Sequence, residues 1–345
     1  MVWPVCRARE GAPRAKPDGQ AGRGSGMLMA VIDRPPIDER TLTAEVAQAW
    51  GLDGVEFVFL PIGLDGQAWA YRINTAGEDG YFMKVRRGEF APAAVSLPQY
   101  LREQGLTHVV APRGTRSGEA GHAMGGSRML LYPFHGGGNL WSRGLTDRQW
   151  IEYGAFLGKL HSTVPSPRIE SILPVENYST TAPARVHARS AEAAVSNVLG
   201  AFWQRYGAAI TRLCETVDEL AAKVTAGPHV ICHADVHPGN LIADGDGPLH
   251  VVDWDAPIMA PRERDLMFVL GQGFGEHPVS PRQEALFCQG YGPLQINDEL
   301  LTFYRQERSL DDIAEFLSRI LDPETSPEAR ANDLHWLTRN AEMIT

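Results

Sequence analysis

The sequence predicts an α+β chain in two lobes, a small antiparallel sheet with one helix followed by a larger, mostly helical part. Three observations carry that expectation. Strand-like runs separated by turn signals occupy Val55 to Arg86; an apolar strand, Arg128 to Phe134, runs into His135 and three glycines; and most of the chain after Thr146 follows the 3.6-residue period of amphipathic helices. The expected organisation is a disordered tail or over-extended start over residues 1–26, a first lobe over 27–134 and a second over 135–345.

Composition narrows the function classes. With 345 residues and 43% hydrophobic content the chain is long enough for two lobes of an ordinary globular protein. No apolar run approaches the roughly 18 residues of a membrane span, so no membrane partner is expected. A net charge of −10 disfavours a nucleic-acid binder, which needs a basic face. From Asp265 to Thr345 there are 14 acidic residues against 6 Arg and no Lys, a field that would attract a small cationic substrate. Cys6, Cys214, Cys232 and Cys288 lack C-x-x-C spacing and read as reduced thiols of a cytoplasmic protein. Residues 1–26, rich in Gly, Ala, Pro and Arg, lack the apolar core of a signal peptide, and Met27 or Met29 could be the natural initiator. The oligomeric state stays open.

Taken in order, a short helix is expected at Thr41 to Trp50, then strands Val55 to Pro61, Ala68 to Asn74 and Tyr81 to Arg86. Gly63-Leu64-Asp65-Gly66-Gln67 between the first two is a glycine-containing hairpin whose backbone N–H groups could lie over phosphates. Lys84 stands among apolar strand residues, where its ammonium needs an anionic partner. Ala91 to Gln104 reads as a helix ended by Gly105, kinked or delayed by Pro98. Thr146 and Gln149 form a capping box opening a helix with Trp150, Tyr153, Phe156, Leu157 and Leu160 on one stripe. His161 at its end is read as structural. Ser190 to Thr225 is expected as two helices breaking near Gly207, and Arg282 to Tyr291, Asn297 to Leu321 and Pro327 to Met343 as helices closing the second lobe. Asp298, Glu299, Asp311, Asp312 and Glu315 are candidate partners for a substrate amine.

The stretch Ile231 to Asp255, ICHADVHPGNLIADGDGPLHVVDWD, is the most informative. An attacking hydroxyl needs a carboxylate to orient it and take its proton, while the phosphates of a nucleotide need Mg²⁺ held by oxygen ligands a fixed distance away. Asp235 would sit at a loop crest after a strand ending at Cys232, and Asn240 would lead into a strand, Leu241 to Ala243. Asp244 to Gly247 would make a hairpin turn, and Leu249 to Val252 would return antiparallel, bringing Asp253 beside Asn240. The pattern is suited to phosphoryl transfer.

H-x-D-x-x-x-x-N followed by a strand-borne Asp is the order of the protein-kinase catalytic loop, with Asp253-Trp254-Asp255 where kinases carry Asp-Phe-Gly. The wording H-x-D-x-H-P-G-N then D-x-D resembles the aminoglycoside phosphotransferase and choline kinase superfamily more closely, over roughly Glu56 to Leu321. That resemblance implies a protein-kinase-like two-lobed fold, with a small N-lobe antiparallel sheet and a larger helical C-lobe. It implies ATP, or less readily GTP, and Mg²⁺ as cofactors, Asp235 as catalytic base, His233 as a loop-fixing residue, and Asn240 and Asp253 as magnesium ligands. Lys84 and the Gly63, Asp65, Gly66 turn would hold the phosphates, and a hinge N–H from Tyr132 or Phe134 would meet the adenine. Asp265 looks like the family's Asp that caps the next helix and anchors the catalytic loop. One feature departs from the pattern: Ser96, Leu97 and Gln99 occupy the mid-helix region where a glutamate partner for the lysine is expected, leaving Glu103, or Glu89 before the helix. Lys84-Val-Arg-Arg-Gly and Leu131-Tyr-Pro-Phe look most like spectinomycin phosphotransferase-type members. The implied activity is phosphorylation of a hydroxyl on a small, amine-bearing acceptor such as an aminocyclitol antibiotic. A metabolic kinase for choline, homoserine or a sugar, a macrolide kinase, and a catalytically silent nucleotide-binding protein are the alternatives.

Overall fold

The computed structural model describes residues 34–35, 37–61, 67–75, 78–224, 227–270 and 278–344. The tail expected over residues 1–26 lies outside them, and so do Gly63, Asp65 and Gly66.

The first part is a helix and a five-stranded sheet. Helix α1 (Glu39–Trp50) ends at Gly51, whose φ of 71° only glycine adopts cheaply and whose N–H closes on Ala47 O. Strands β1 (Glu56–Leu60), β2 (Ala68–Thr75) and β3 (Glu78–Arg87) precede helix α2 (Pro92–Glu103), after which come β4 (His122–Met124) and β5 (Ser127–Pro133). The sheet order is β1-β2-β3-β5-β4, with each neighbouring pair antiparallel. Met83 and Val85 of β3 are fully buried with Tyr71, Ile73 and the α1 residues Leu42 and Val46. Because side chains alternate across a strand, that packing turns Lys84 to the opposite face. Helix α2 continues through Pro98; Ala93, Leu97 and Leu101 are buried in the larger core, and that burial outweighs the one N–H bond proline removes.

The second part is mainly helical. Strand β6 (Gly138–Asn139) leads into α3 (Leu140–Arg143), α4 (Asp147–Ser162), α5 (Pro167–Glu170), α6 (Ala182–Val195) and α7 (Gly200–Lys223). The α6–α7 break falls at residues 196–199 and not near Gly207, because the Ser196 hydroxyl accepts the N–H groups of Val198 and Leu199 and so ends one helix and opens the next. Gly207 lies inside α7, where a Cβ would come within 2.9 Å of the Trp203 indole. The Thr146–Gln149 capping box forms as expected, and Gln149 Nε2 also donates to Gly245 O and Gly247 O, tying the start of α4 to a distant turn.

That turn belongs to a ribbon threaded among the helices. Strand β7 (His229–Cys232) pairs antiparallel with β10 (Ile258–Pro261), while β8 (Leu241–Ala243) lies between β6 and β9 (His250–Val251). The returning strand is shorter than the expected Leu249 to Val252; Val251 also exchanges backbone bonds with His108 and Val110 beyond α2. Helices α8 (Glu263–Leu266), α9 (Pro281–Tyr291), α10 (Asp298–Leu321) and α11 (Pro327–Met343) complete the chain. The expected α+β architecture is what the structure has. One core runs from α2 through α4, α6 and α7 to α10 and includes the ribbon residues Ile231, Leu241, Val251 and Trp254, so the ribbon rests on packed helices.

Candidate active site

The loop after β7 has little regular backbone and is held instead by one buried carboxylate. Asp265 of α8 is inaccessible to solvent; its Oδ2 accepts the His233 N–H at 3.0 Å and its Oδ1 the Ala234 N–H at 2.7 Å. The His161 ring lies 3.1 Å from Oδ2 and contacts the Tyr291 hydroxyl at 2.7 Å through Nδ1. Burial pushes the Asp265 carboxyl up, but the His161 hydrogen bond and charge outweigh it and hold the group below its ordinary value. Two ordered N–H donors let Ala234 keep a φ of 69°, a conformation that costs a residue with a Cβ roughly 1–2 kcal/mol. Past that bend the chain presents Asp235.

His233 is fully buried, with Nε2 3.0 Å from the Val252 carbonyl and Nδ1 3.2 Å from the Asp235 N–H. The carbonyl cannot donate, so the ring carries its proton on Nε2 and accepts at Nδ1. His233 thereby joins the loop to the returning ribbon. Asn240 does the same from the other side: its Nδ2 donates to Asp235 O at 2.8 Å and Asp235 Oδ2 at 3.2 Å, and its main-chain carbonyl accepts the Val252 N–H at 3.1 Å.

Immediately after Val252 the backbone turns at Asp253, where φ is 64°. Lys84 Nζ reaches across from β3 to within 3.0 Å of Asp253 Oδ1 and 2.6 Å of Asp255 Oδ2, its side chain 17% exposed. Burial disfavours the ammonium, but the two carboxylates reverse that and raise Lys84 above its ordinary value. Burial disfavours the charged Asp253 too and pushes its carboxyl up, but Lys84 outweighs that and holds it below its ordinary value. Asp255 goes the other way: burial and the charge of Asp253 prevail over Lys84. Tyr132 of β5 lies close enough to this group for its phenol to be raised by burial first and then, against Lys84, by Asp255 and Asp253. The Phe134 N–H donates to Gly80 O at 3.0 Å, and the Phe134 ring lies under the Arg72 guanidinium at 4.3 Å.

Two expectations need correction. Glu103 is exposed at the end of α2, and the acidic partners of Lys84 are Asp253 and Asp255; the helix turns an apolar face, Ala93, Ala94, Leu97 and Leu101, to the interior, so the carboxylates come from the ribbon. The acidic residues of α10 are not an open amine-binding row, since Asp311 and Glu315 pair with Arg185 at 3.3 and 2.9 Å and Asp312 pairs with Arg308 at 3.1 Å. Asp298 and Glu299 lie in the first turn of α10. Asp255 was visible in the D-x-D spacing but had no assigned partner. Arg308 left no local signal beyond an i,i+4 pair with Asp312, yet its Nη1 donates to Asp235 Oδ1 at 2.7 Å.

An orienting carboxylate, an amide, two further carboxylates and a lysine therefore converge where the sheet meets the ribbon. Such a set suits a hydroxyl, a hard cation and a polyphosphate together, the equipment of a kinase-like phosphotransferase. The APH model of the phosphotransferase enzyme family matches residues 59–304, and the chain belongs to that family. It is a small-molecule kinase. Among solved structures it is similar to spectinomycin phosphotransferase APH(9)-Ia in complex with ADP and spectinomycin, with TM-score 0.80 and 26% identity over 90% of this chain and 98% of that one. The AMP-bound complex of APH(9)-Ia superposes with TM-score 0.76 at 26% identity, covering 88% of this chain and 97% of that one. A microcompartment-associated aminopropanol kinase shares the fold at TM-score 0.61, with 14% identity over 89% and 96% of the two chains. No curated protein matches the chain by sequence.

Proposed function

We propose that the protein transfers the γ-phosphoryl group of ATP to a hydroxyl of a small, amine-bearing acceptor of the aminocyclitol class, such as spectinomycin. The observation that carries the chemistry is the meeting of Lys84 with Asp253 at the end of the same ribbon that fixes Asn240 against Asp235. The acceptor class rests on the likeness to APH(9)-Ia, which extends over nearly the whole of both chains.

In this reading Asp235 aligns the acceptor hydroxyl and receives its proton as the new O–P bond forms and the bond from the γ-phosphorus to the bridging oxygen breaks, releasing ADP. His233 holds the loop, not the substrate. Lys84 exchanges part of its carboxylate contact for the nucleotide phosphates, and Asp255 stays as the partner that a helix glutamate would otherwise supply. Tyr132 lines the nucleotide side; with the Phe134 N–H engaged by Gly80, adenine recognition through Phe134 would need that bond to open. Gly63, Asp65 and Gly66 lie outside the described residues. The donor set fits a divalent ion: Asp253 is kept ionised by Lys84, and Asn240, whose amide nitrogen serves Asp235, has its amide oxygen as the ligand atom. Asn240 and Asp253 would hold Mg²⁺, which offsets phosphate charge.

The test is ATP consumption, with product identified by ³¹P NMR, against spectinomycin, aminoglycosides, a macrolide, choline and homoserine. Preferred phosphorylation of spectinomycin is expected. Preference for choline or homoserine would replace the antibiotic acceptor with a metabolic one, and nucleotide binding without turnover on any acceptor would remove the kinase assignment of the site.

A further inference from the structure

We infer that Arg308, on α10, is a positioning residue for Asp235, fixing the carboxylate so that the acceptor hydroxyl meets it in one orientation. The inference rests on the proposed role of Asp235 and extends it to a helix 73 residues away.

Asp235 is held at both oxygens by different parts of the fold. Arg308 Nη1 donates to Oδ1 at 2.7 Å, and Asn240 Nδ2 donates to Oδ2 at 3.2 Å. His237 Nε2 stands farther from Oδ1, at 3.7 Å. An ionised carboxylate has about four acceptor positions, so two such bonds set the plane of the group and leave positions for an incoming hydroxyl. The guanidinium is itself fixed. Its Nε donates to Asp312 Oδ1 at 3.1 Å, one turn further along α10, and it lies 5.9 Å from the centre of the Phe268 ring. Arg308, Asp312 and Asp235 are all partly buried, with side-chain exposures of 26, 22 and 30%. A planar guanidinium can serve two carboxylates in fixed directions at once, which a lysine ammonium on a flexible stem does less well.

The arrangement also suits the chemistry. Phosphoryl transfer through a loose transition state asks for an aligned hydroxyl more than for a strong base, so a cation against the base costs little in proton transfer while it fixes geometry.

The experiment uses the full chain as wild type, Arg308→Gln, Arg308→Lys, Asp312→Asn, Asp235→Asn and the Asp235→Asn/Arg308→Gln double variant. Steady-state kinetics are measured on the acceptor that the panel identifies, and crystal structures of wild type and Arg308→Gln are compared. Arg308→Gln is expected to lower kcat by about 100-fold, the scale of a catalytic group displaced by roughly 1 Å, with KM for ATP unchanged. Arg308→Lys should recover part of the loss, Asp312→Asn should cost less than Arg308→Gln, and Arg308→Gln should add nothing once Asp235 is already Asn. Wild-type kcat in Arg308→Gln, or losses that multiply in the double variant, would overturn the inference. The crystallographic comparison needs no turnover: Asp235 leaving Asn240 in Arg308→Gln supports positioning, and an unmoved Asp235 overturns it. Failure of every acceptor with wild type would count against the kinase reading of the site and leave this comparison to decide the role of Arg308.

Discussion

The five-stranded sheet and the ribbon of β7 to β10 are both antiparallel, but they keep their shapes by different means. The sheet has strands of up to ten residues, and β3 pairs with β5 in continuous register from Tyr81↔Pro133 to Arg87↔Ser127. Backbone ladders and an apolar face against α1 suffice there. The ribbon strands are two to four residues long, and the residues between them include Ala234 and Asp253 at positive φ. So short a ladder is not self-sustaining, and buried polar side chains replace it: Asp265 beneath the loop, His233 and Asn240 across it, Gln149 at the turn. A site that must aim several polar groups at one point needs irregular backbone, and irregular backbone needs its donors and acceptors satisfied individually.

The sharpest way to test this contrast is to alter the ribbon's functional carboxylate without touching its scaffold. Asp235→Asn is expected to lower kcat by about 10²- to 10⁴-fold while ATP affinity, read by calorimetry, is largely retained; substantial turnover would remove Asp235 from the base role. Next comes the scaffold itself. Asp265→Ala leaves two N–H groups and a histidine without their acceptor and should cost about 3–5 kcal/mol, with activity lost as the loop relaxes. The pH dependence has a definite sign. Because the folded carboxyl lies below the 3.8 of a free aspartate, its contribution is complete above that value and is lost as pH falls through the lower folded one. Thermal melts of wild type against Asp265→Asn should therefore converge toward acid, and a constant difference across pH would contradict the assignment.

The sheet offers the converse case. Ile73 is fully buried in the smaller core, so Ile73→Ala should lower stability by about 2–5 kcal/mol with kcat of the folded fraction unchanged. A kcat loss comparable to the stability loss would mean that the sheet and the ribbon are not separable in this way. The smallest effect is expected from Ala234→Gly, where release of left-handed strain and the extra freedom of the unfolded chain nearly cancel, for a net change under about 1 kcal/mol. A larger destabilisation would show that the buried Ala234 methyl matters more than its backbone.

Much of the architecture was legible because periodicity is a local property. The alternation in β3, the capping box at Thr146 and the stripe through Trp150, Tyr153 and Phe156 each follow from neighbours in sequence. Packing overrode a local rule at Gly207, which continues α7 because its missing Cβ makes room for Trp203, whereas the helix expected to contain Pro98 is present as α2. The polar partners were the least legible part, since a carboxylate looks the same in sequence whether an arginine waits beside it or not.

From the order of residues alone came the strand bearing Lys84, the spacing of Asp235, Asn240 and Asp253, and the hairpin between them, because each depends on separations of a few residues and on turn chemistry. Only tertiary structure decided that Lys84 meets Asp253 and Asp255 instead of a helix glutamate, and that Arg308 reaches Asp235. Those pairs span 169, 171 and 73 residues, and no local preference selects among the acidic side chains available until the cores of the two parts have set which of them face one another.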